Sequence, residues 1–287
     1  METKELLKKV RKIEIKTRRL SNHIFSGEYH SHFKGRGMTF SEVRKYQHGD
    51  DIRDIDWNVT AKLNEAHIKI FEEERELTMM LLVDVSKSES FGTRVQRKRD
   101  LITELCAVLA FAAIQNNDKV GVVFFTDQIE MFIPPKKGKS HILRIIRELI
   151  EFKPKGTGTN ISEALKFLSS VVKKRSIVFT LSDFQDSDYD KNMKIASNKH
   201  DLTAIRIFDP AEENLPNIGL VQMIEPETGE IRWVDTSSKK LRNEYGTAYQ
   251  NLVSKFKSSC KASGTDYLDL RVDRPYTKQL LEFFKRR

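Results

Sequence analysis

The spacing of apolar and polar positions changes several times along the chain, and each change predicts an element. Over residues 2–20 the apolar positions Leu6, Leu7, Val10 and Ile13 fall at three-four spacing, the stripe of a helix lying on a larger body. Residues 23–39 are polar and rich in His, Ser and Gly, which reads as an exposed loop. Residues 40–76 are charged and of mixed character, with Gly49-Asp50-Asp51 as a turn. From Leu77 the pattern hardens. Leu77 to Asp84 is a nearly continuous apolar run closed by a carboxylate, as in a strand buried on both faces. Residues 94–115 form a helix with Leu101, Leu105, Val108, Leu109 and Ala112 on one face. Buried strands follow at 119–125 and 129–133, helices at 139–150 and 161–172, and a strand at 176–183 that ends in a second carboxylate. A helix near 189–197 and a strand at 203–208 precede a hairpin insertion near 215–236, turning at Glu227-Thr228-Gly229. A long helix at 239–262, a strand at 267–271 and a helix at 277–284 complete the chain.

Strands alternating with helices over about 200 residues predict an α/β fold with a doubly wound, mostly parallel, Rossmann-like sheet. The pattern divides the chain into an N-terminal helical and extended appendage, residues 1–75, and a sheet domain, residues 76–287. In such a sheet, ligands bind beyond the carboxyl ends of the strands.

Composition narrows the classes. Of 287 residues, 39% are hydrophobic and 32% charged, with 13 Gly and 7 Pro, enough for a packed core and unlike a fibrous or disordered chain. Two cysteines, Cys106 and Cys260, exclude a disulfide scaffold and a thiolate zinc site. No apolar run approaches the roughly 20 residues of a membrane span, and the charged start is unlike a signal peptide. The expectation is a reduced, cytoplasmic protein. Net charge is +9, and the first twenty residues hold eight Lys and Arg against three Glu. No aromatic interleaving or groove-reading motif accompanies that charge, so a solvated helix is preferred over a nucleic-acid-binding tail.

The strand ends carry the candidate chemistry. Asp84-Val85-Ser86-Lys87-Ser88 is a D-x-S-x-S pattern, in which alternate residues of a tight loop can turn toward one point. Asp183 ends a later strand on the same edge. Between them, Gly156-Thr157-Gly158-Thr159-Asn160 places a threonine in a Gly-rich loop before a helix. Five oxygen-bearing side chains without His or thiolate suit a hard cation, Mg²⁺, Mn²⁺ or Ca²⁺. They leave a coordination position open for water or an incoming carboxylate. Each residue taken singly could as well cap a turn or helix.

The ordered triple resembles the von Willebrand factor A fold and its metal-ion-dependent adhesion site. That resemblance implies that Asp84, Ser86, Ser88, Thr159 and Asp183 hold the cation, and that its open position accepts an acidic side chain of a protein partner. Two departures stand out. Glu89 follows the second serine and could fill the open position from within, and Phe184 replaces the familiar glycine after the last aspartate. Upstream, Gly35-Arg36-Gly37-Met38-Thr39-Phe40, Val43-Arg44-Lys45-Tyr46 and the run from Gly49 to Ala61 (GDDIRDIDWNVTA) resemble the signature of domain-of-unknown-function family 58. Members of that family are typically encoded beside a MoxR-type AAA+ ATPase. The resemblance implies a non-enzymatic, metal-dependent adaptor or scaffold for such an ATPase in protein-complex assembly or maturation.

Within the signature, Asp50, Asp51, Asp54 and Asp56 interleave with Arg44, Lys45 and Arg53. This reads as a local salt-bridge network, with Trp57 and Tyr46 as packing anchors, in preference to a second cation site. The alternative function is a metal-assisted hydrolase at the same site, for which Asp127 and Glu89 are the only plausible bases. Gly138-Lys139-Ser140 lacks the earlier glycine of a phosphate-binding loop. His23, His30 and His32 read as an exposed polar loop in preference to a metal site.

Overall fold

The structure, a computed structural model, describes residues 10, 11, 13, 14, 16, 17, 39–72, 77–86, 88, 97–224 and 231–286. The chain forms two compact units. One comprises Leu77–Arg287 with the N-terminal stretch Met1–Tyr29, and the other is His30–Glu76. The N-terminal helical residues thus group with the sheet domain. Val10 is buried, the Lys16 ammonium donates to Glu104 Oε2 at 2.7 Å, and Glu14 pairs with Lys139.

The smaller unit holds two antiparallel strands, β1 (Thr39–Lys45) and β2 (His67–Glu72), and the helix α1 (Trp57–Leu63). Its acids are used locally. Asp50 receives both Nη groups of Arg44 at 2.7 and 2.8 Å, Asp51 caps a 3₁₀ turn at Ile52–Asp54, and Asp56 caps α1 while facing Lys69 at 3.6 Å. Trp57 corrects the expectation of a packing anchor: as the first residue of α1 it projects outward and is 67% exposed. Tyr46 is half-buried.

The larger unit is built on a six-stranded sheet in the order β10-β7-β6-β3-β4-β5. Its strands are β3 (Thr78–Asp84), β4 (Lys119–Phe125), β5 (Ile129–Lys136), β6 (Ile177–Ser182), β7 (Asp201–Phe208) and β10 (Asp266–Arg271). All pairings are parallel except β4 with β5. Met79–Asp84 of β3 and all of β6 are buried, as central strands covered on both faces must be. β5 differs from its expected burial. It is a partly exposed edge strand, and an edge tolerates Pro134 and Pro135, which donate no ladder hydrogen bond.

The helices are α2 (Lys98–Gln115), α3 (Lys139–Glu151), α4 (Ile161–Val171), α5 (Asp190–Lys199), the short α6 (Pro210–Glu213), α7 (Lys239–Ser263) and α8 (Thr277–Arg286). From Leu101 to Ala113, α2 is buried on every side. The expected hairpin insertion is present as β8 (Leu220–Ile224) antiparallel to β9 (Ile231–Asp235); its turn, 225–230, lies outside the described residues. The chain leaves β3 for β4 on one side, then crosses to β6 on the other. The carboxyl end of β3 is therefore the point where strand order reverses, the place such a sheet offers a ligand.

Candidate metal centre

Asp84 is the last residue of β3, and its burial follows from that central position. Its Oδ1 accepts the backbone N–H of Ser86 at 2.9 Å, which turns the chain sharply at the strand end. The turn brings the Ser86 and Ser88 hydroxyls together at 2.9 Å. Asp84 Oδ2 accepts the Thr159 hydroxyl at 3.3 Å and the Ser182 hydroxyl at 2.7 Å. Ser182 ends β6 one step beyond the Val83–Leu181 pair, so strand register places it beside Asp84. Lys87 and Glu89 lie outside the described residues, and with them the idea that Glu89 fills the open position.

The loop bearing Thr159 is fixed from two sides. Glu130 Oε1 accepts from the backbone of Lys155 and Gly156 at 3.0 and 2.6 Å and from the Thr126 hydroxyl at 2.9 Å. A Cβ on Gly156 would collide with Thr126 Oγ1 and Asp127 Oδ1, so only glycine fits there. Asn160 N donates to Thr126 O at 2.8 Å, Asn160 Oδ1 caps α4, and Asp186 Oδ2 accepts Ile161 N at 2.8 Å. Asp127, the base considered for hydrolysis, is exposed on the β4–β5 turn.

Asp183 follows β6 and is buried. Its Oδ1 accepts Gln185 N at 3.2 Å, and Oδ2 accepts the Lys98 ammonium at 2.8 Å. The same ammonium donates to Glu212 Oε1 at 2.7 Å. Burial first, and then the nearby Asp183 charge, push the Asp84 carboxyl up to about 7. Burial also raises Glu212, with Lys98 opposing it. Two close buried carboxylates with serine and threonine hydroxyls form an all-oxygen donor set that a hard divalent cation fits, since it would supply the charge that keeps Asp84 ionised. Among the described residues no three His, Cys, Asp or Glu side chains gather into a metal-binding cluster, so any cation here relies on hydroxyls and water as much as on carboxylates.

The sequence profile of the family described as protein of unknown function DUF58 matches residues 42–253. The chain belongs to the DUF58 family. Among similar proteins is the uncharacterized protein Rv1480 of Mycobacterium tuberculosis, 26% identical over 277 residues, spanning 96% of this chain and 87% of that protein. In three dimensions this DUF58 chain is similar to an aerotolerance-related membrane protein of Bacteroides fragilis. That match has a TM-score of 0.50 and 15% identity over 74% of this chain and all of that one. The VWA domain of SpRpn10 matches at a TM-score of 0.41 with 9% identity, over 72% of this chain and 94% of that domain. The fold is a doubly wound, mostly parallel α/β architecture, with β3 central and β5 reversed at the edge.

Three features of this DUF58 site carry little sequence signal. Ser182 is the strand residue just before Asp183, and because neighbouring strand residues face opposite ways the sequence does not announce that it meets Asp84. Lys98 is one of 50 basic residues, and Glu212 lies 29 positions beyond Asp183 on a separate strand exit. Phe184 has φ of 56°, the left-handed conformation that favours glycine, so its backbone supplies the turn that a glycine would. Its ring is buried against Phe256.

Proposed function

We propose that this DUF58 protein is a non-enzymatic, divalent-cation-dependent adaptor that binds other proteins. Asp84, Ser86, Ser88, Thr159 and Asp183 would hold the cation, Mg²⁺ by cellular abundance and Mn²⁺ or Ca²⁺ by chemistry. Its open position would take an acidic side chain of the partner, with the surrounding loops supplying specificity. The observation that carries the reading is the pairing of buried Asp84 with Asp183 at the strand-order reversal, beside three hydroxyls. Family resemblance supports a MoxR-type AAA+ ATPase as partner, in protein-complex assembly or maturation. Among the described residues no helix is long and apolar enough to cross a membrane.

The test is capture of the purified MoxR-type ATPase encoded nearest this gene on immobilised protein. Capture is expected with Mg²⁺, lost in excess chelator, and lost in Asp84→Ala and Ser86→Ala variants that still fold. Capture that survives chelation, or persists in both variants, would remove the cation from the mechanism.

A further inference from the structure

We infer that Lys98 and Glu212 form a resident counter-ion pair that sets how readily the Asp84–Asp183 site accepts a divalent cation. This rests on the cation-binding reading above and adds an affinity-determining residue to it.

Lys98 is fully buried, and it is the first residue of the 18-residue helix α2. An ammonium there faces the positive end of the helix dipole, where an acid is preferred. Burying it also forfeits its hydration, and an ion pair often fails to recover that loss. An apolar side chain would fill the position at lower cost, so stability alone is a poor reason for a lysine here.

What surrounds it suggests another reason. Asp183 Oδ2 and Glu212 Oε1 hold the ammonium at 2.8 and 2.7 Å. Glu212 is itself anchored: Oε2 accepts Asp209 N at 3.1 Å, completing a capping box on α6 at the end of β7. Among the described residues, the ammonium is thus seated both on a candidate metal ligand and on a carboxylate fixed by backbone. A divalent cation drawing on Asp183 meets Lys98 as a competitor for the same oxygen and as a like charge. Glu212 gives Lys98 a place to remain when Asp183 is drawn to the cation, so no buried charge is left unpaired. With all three carboxylates ionised, their charge of −3, the lysine and a divalent cation sum to zero. Lys98 thus weakens cation binding, and Glu212 limits that weakening.

Calorimetric titration of chelator-stripped full-length protein with MgCl₂ tests this, with a melt of each protein alongside. Glu212→Gln removes the carboxylate that draws Lys98 away from Asp183 and should raise the Kd for Mg²⁺ about tenfold, the scale of one desolvated charge contact. Lys98→Met combined with Glu212→Gln removes the competitor and should lower Kd about tenfold below wild type. Either variant decides alone should the other fail to fold. A purely structural pair would lower the melting temperature and leave Kd unchanged, which overturns the inference and spares the cation site. Binding by the double variant with none by wild type supports strong competition by Lys98. No binding by any of the three proteins overturns both this inference and the cation-binding reading.

Discussion

Replacing Phe184 should invert the usual ranking of glycine and alanine. The residue sits at φ of 56°, with its ring 2% exposed and centred 4.6 Å from Phe256 and 6.0 Å from Tyr189. Its N–H donates to Ser182 Oγ at 3.1 Å, and that hydroxyl donates to Asp84, so the turn is tied to the candidate metal centre. Truncating a buried Phe to Ala costs about 3–5 kcal/mol. Alanine at this position also keeps the left-handed strain of ~1 kcal/mol, whereas glycine relieves it and gives back less through unfolded-state entropy. Phe184→Ala should therefore be the least stable protein and Phe184→Gly about 0.5 kcal/mol better, with both well below wild type. At roughly 2–4 °C per kcal/mol for a domain of this size, thermal or urea unfolding resolves that order. An alanine variant as stable as the glycine variant would refute the claim that backbone conformation matters here. A glycine variant as stable as wild type would refute the claim that the ring does.

Other consequences can be measured separately. Gly156→Ala drives a methyl group into Thr126 and Asp127, so it should move the Thr159 loop and weaken Mg²⁺ binding; unchanged affinity by calorimetry would disconnect that loop from the site. His200 is buried, neither ring nitrogen has a hydrogen-bond partner among the described residues, and burial depresses it to about 4. Its neutral form supports the fold fully above the ordinary 6.5, and that support is lost as pH falls toward 4. The wild type should thus lose melting temperature relative to His200→Gln between pH 7 and pH 5; a constant difference would contradict this. Tyr276→Phe removes the hydroxyl that donates to buried Glu104 at 2.5 Å, and should cost about 1–3 kcal/mol in denaturant unfolding. No loss would mean that Glu104 is satisfied without it.

Elements whose burial is uniform were readable from the sequence. β4 spans the 119–125 expected from its apolar run, because a strand covered on both faces has little choice of residue. The β1–β2 pair was not readable. Its strands are charged, and their partners, such as Val43 and Lys69, lie about 25 positions apart, so neither turn chemistry nor a continuous apolar run announces the pairing. Trp57 misled because a large aromatic residue ordinarily implies burial. At the site, Asp84 and Asp183 were visible as carboxylates closing apolar strands. Lys98 was not, since one buried lysine among many basic residues is recognisable only by what meets it in space. The glycine missing at Phe184 was visible, while its consequence was not: the backbone keeps the glycine conformation and the ring is put to use in the core.

The central claim is that Asp84 and its neighbours bind a divalent cation. A melt of chelator-stripped protein against rising Mg²⁺, beside Asp84→Ala, tests it most directly. A cation that binds only the folded state, at about a hundred times its Kd, adds ~2.7 kcal/mol. For a chain of this size that is a rise of about 5–10 °C. The account predicts a saturable rise of that order in the wild type and none in the variant. A flat wild-type response, or an equal rise in both proteins, would contradict it.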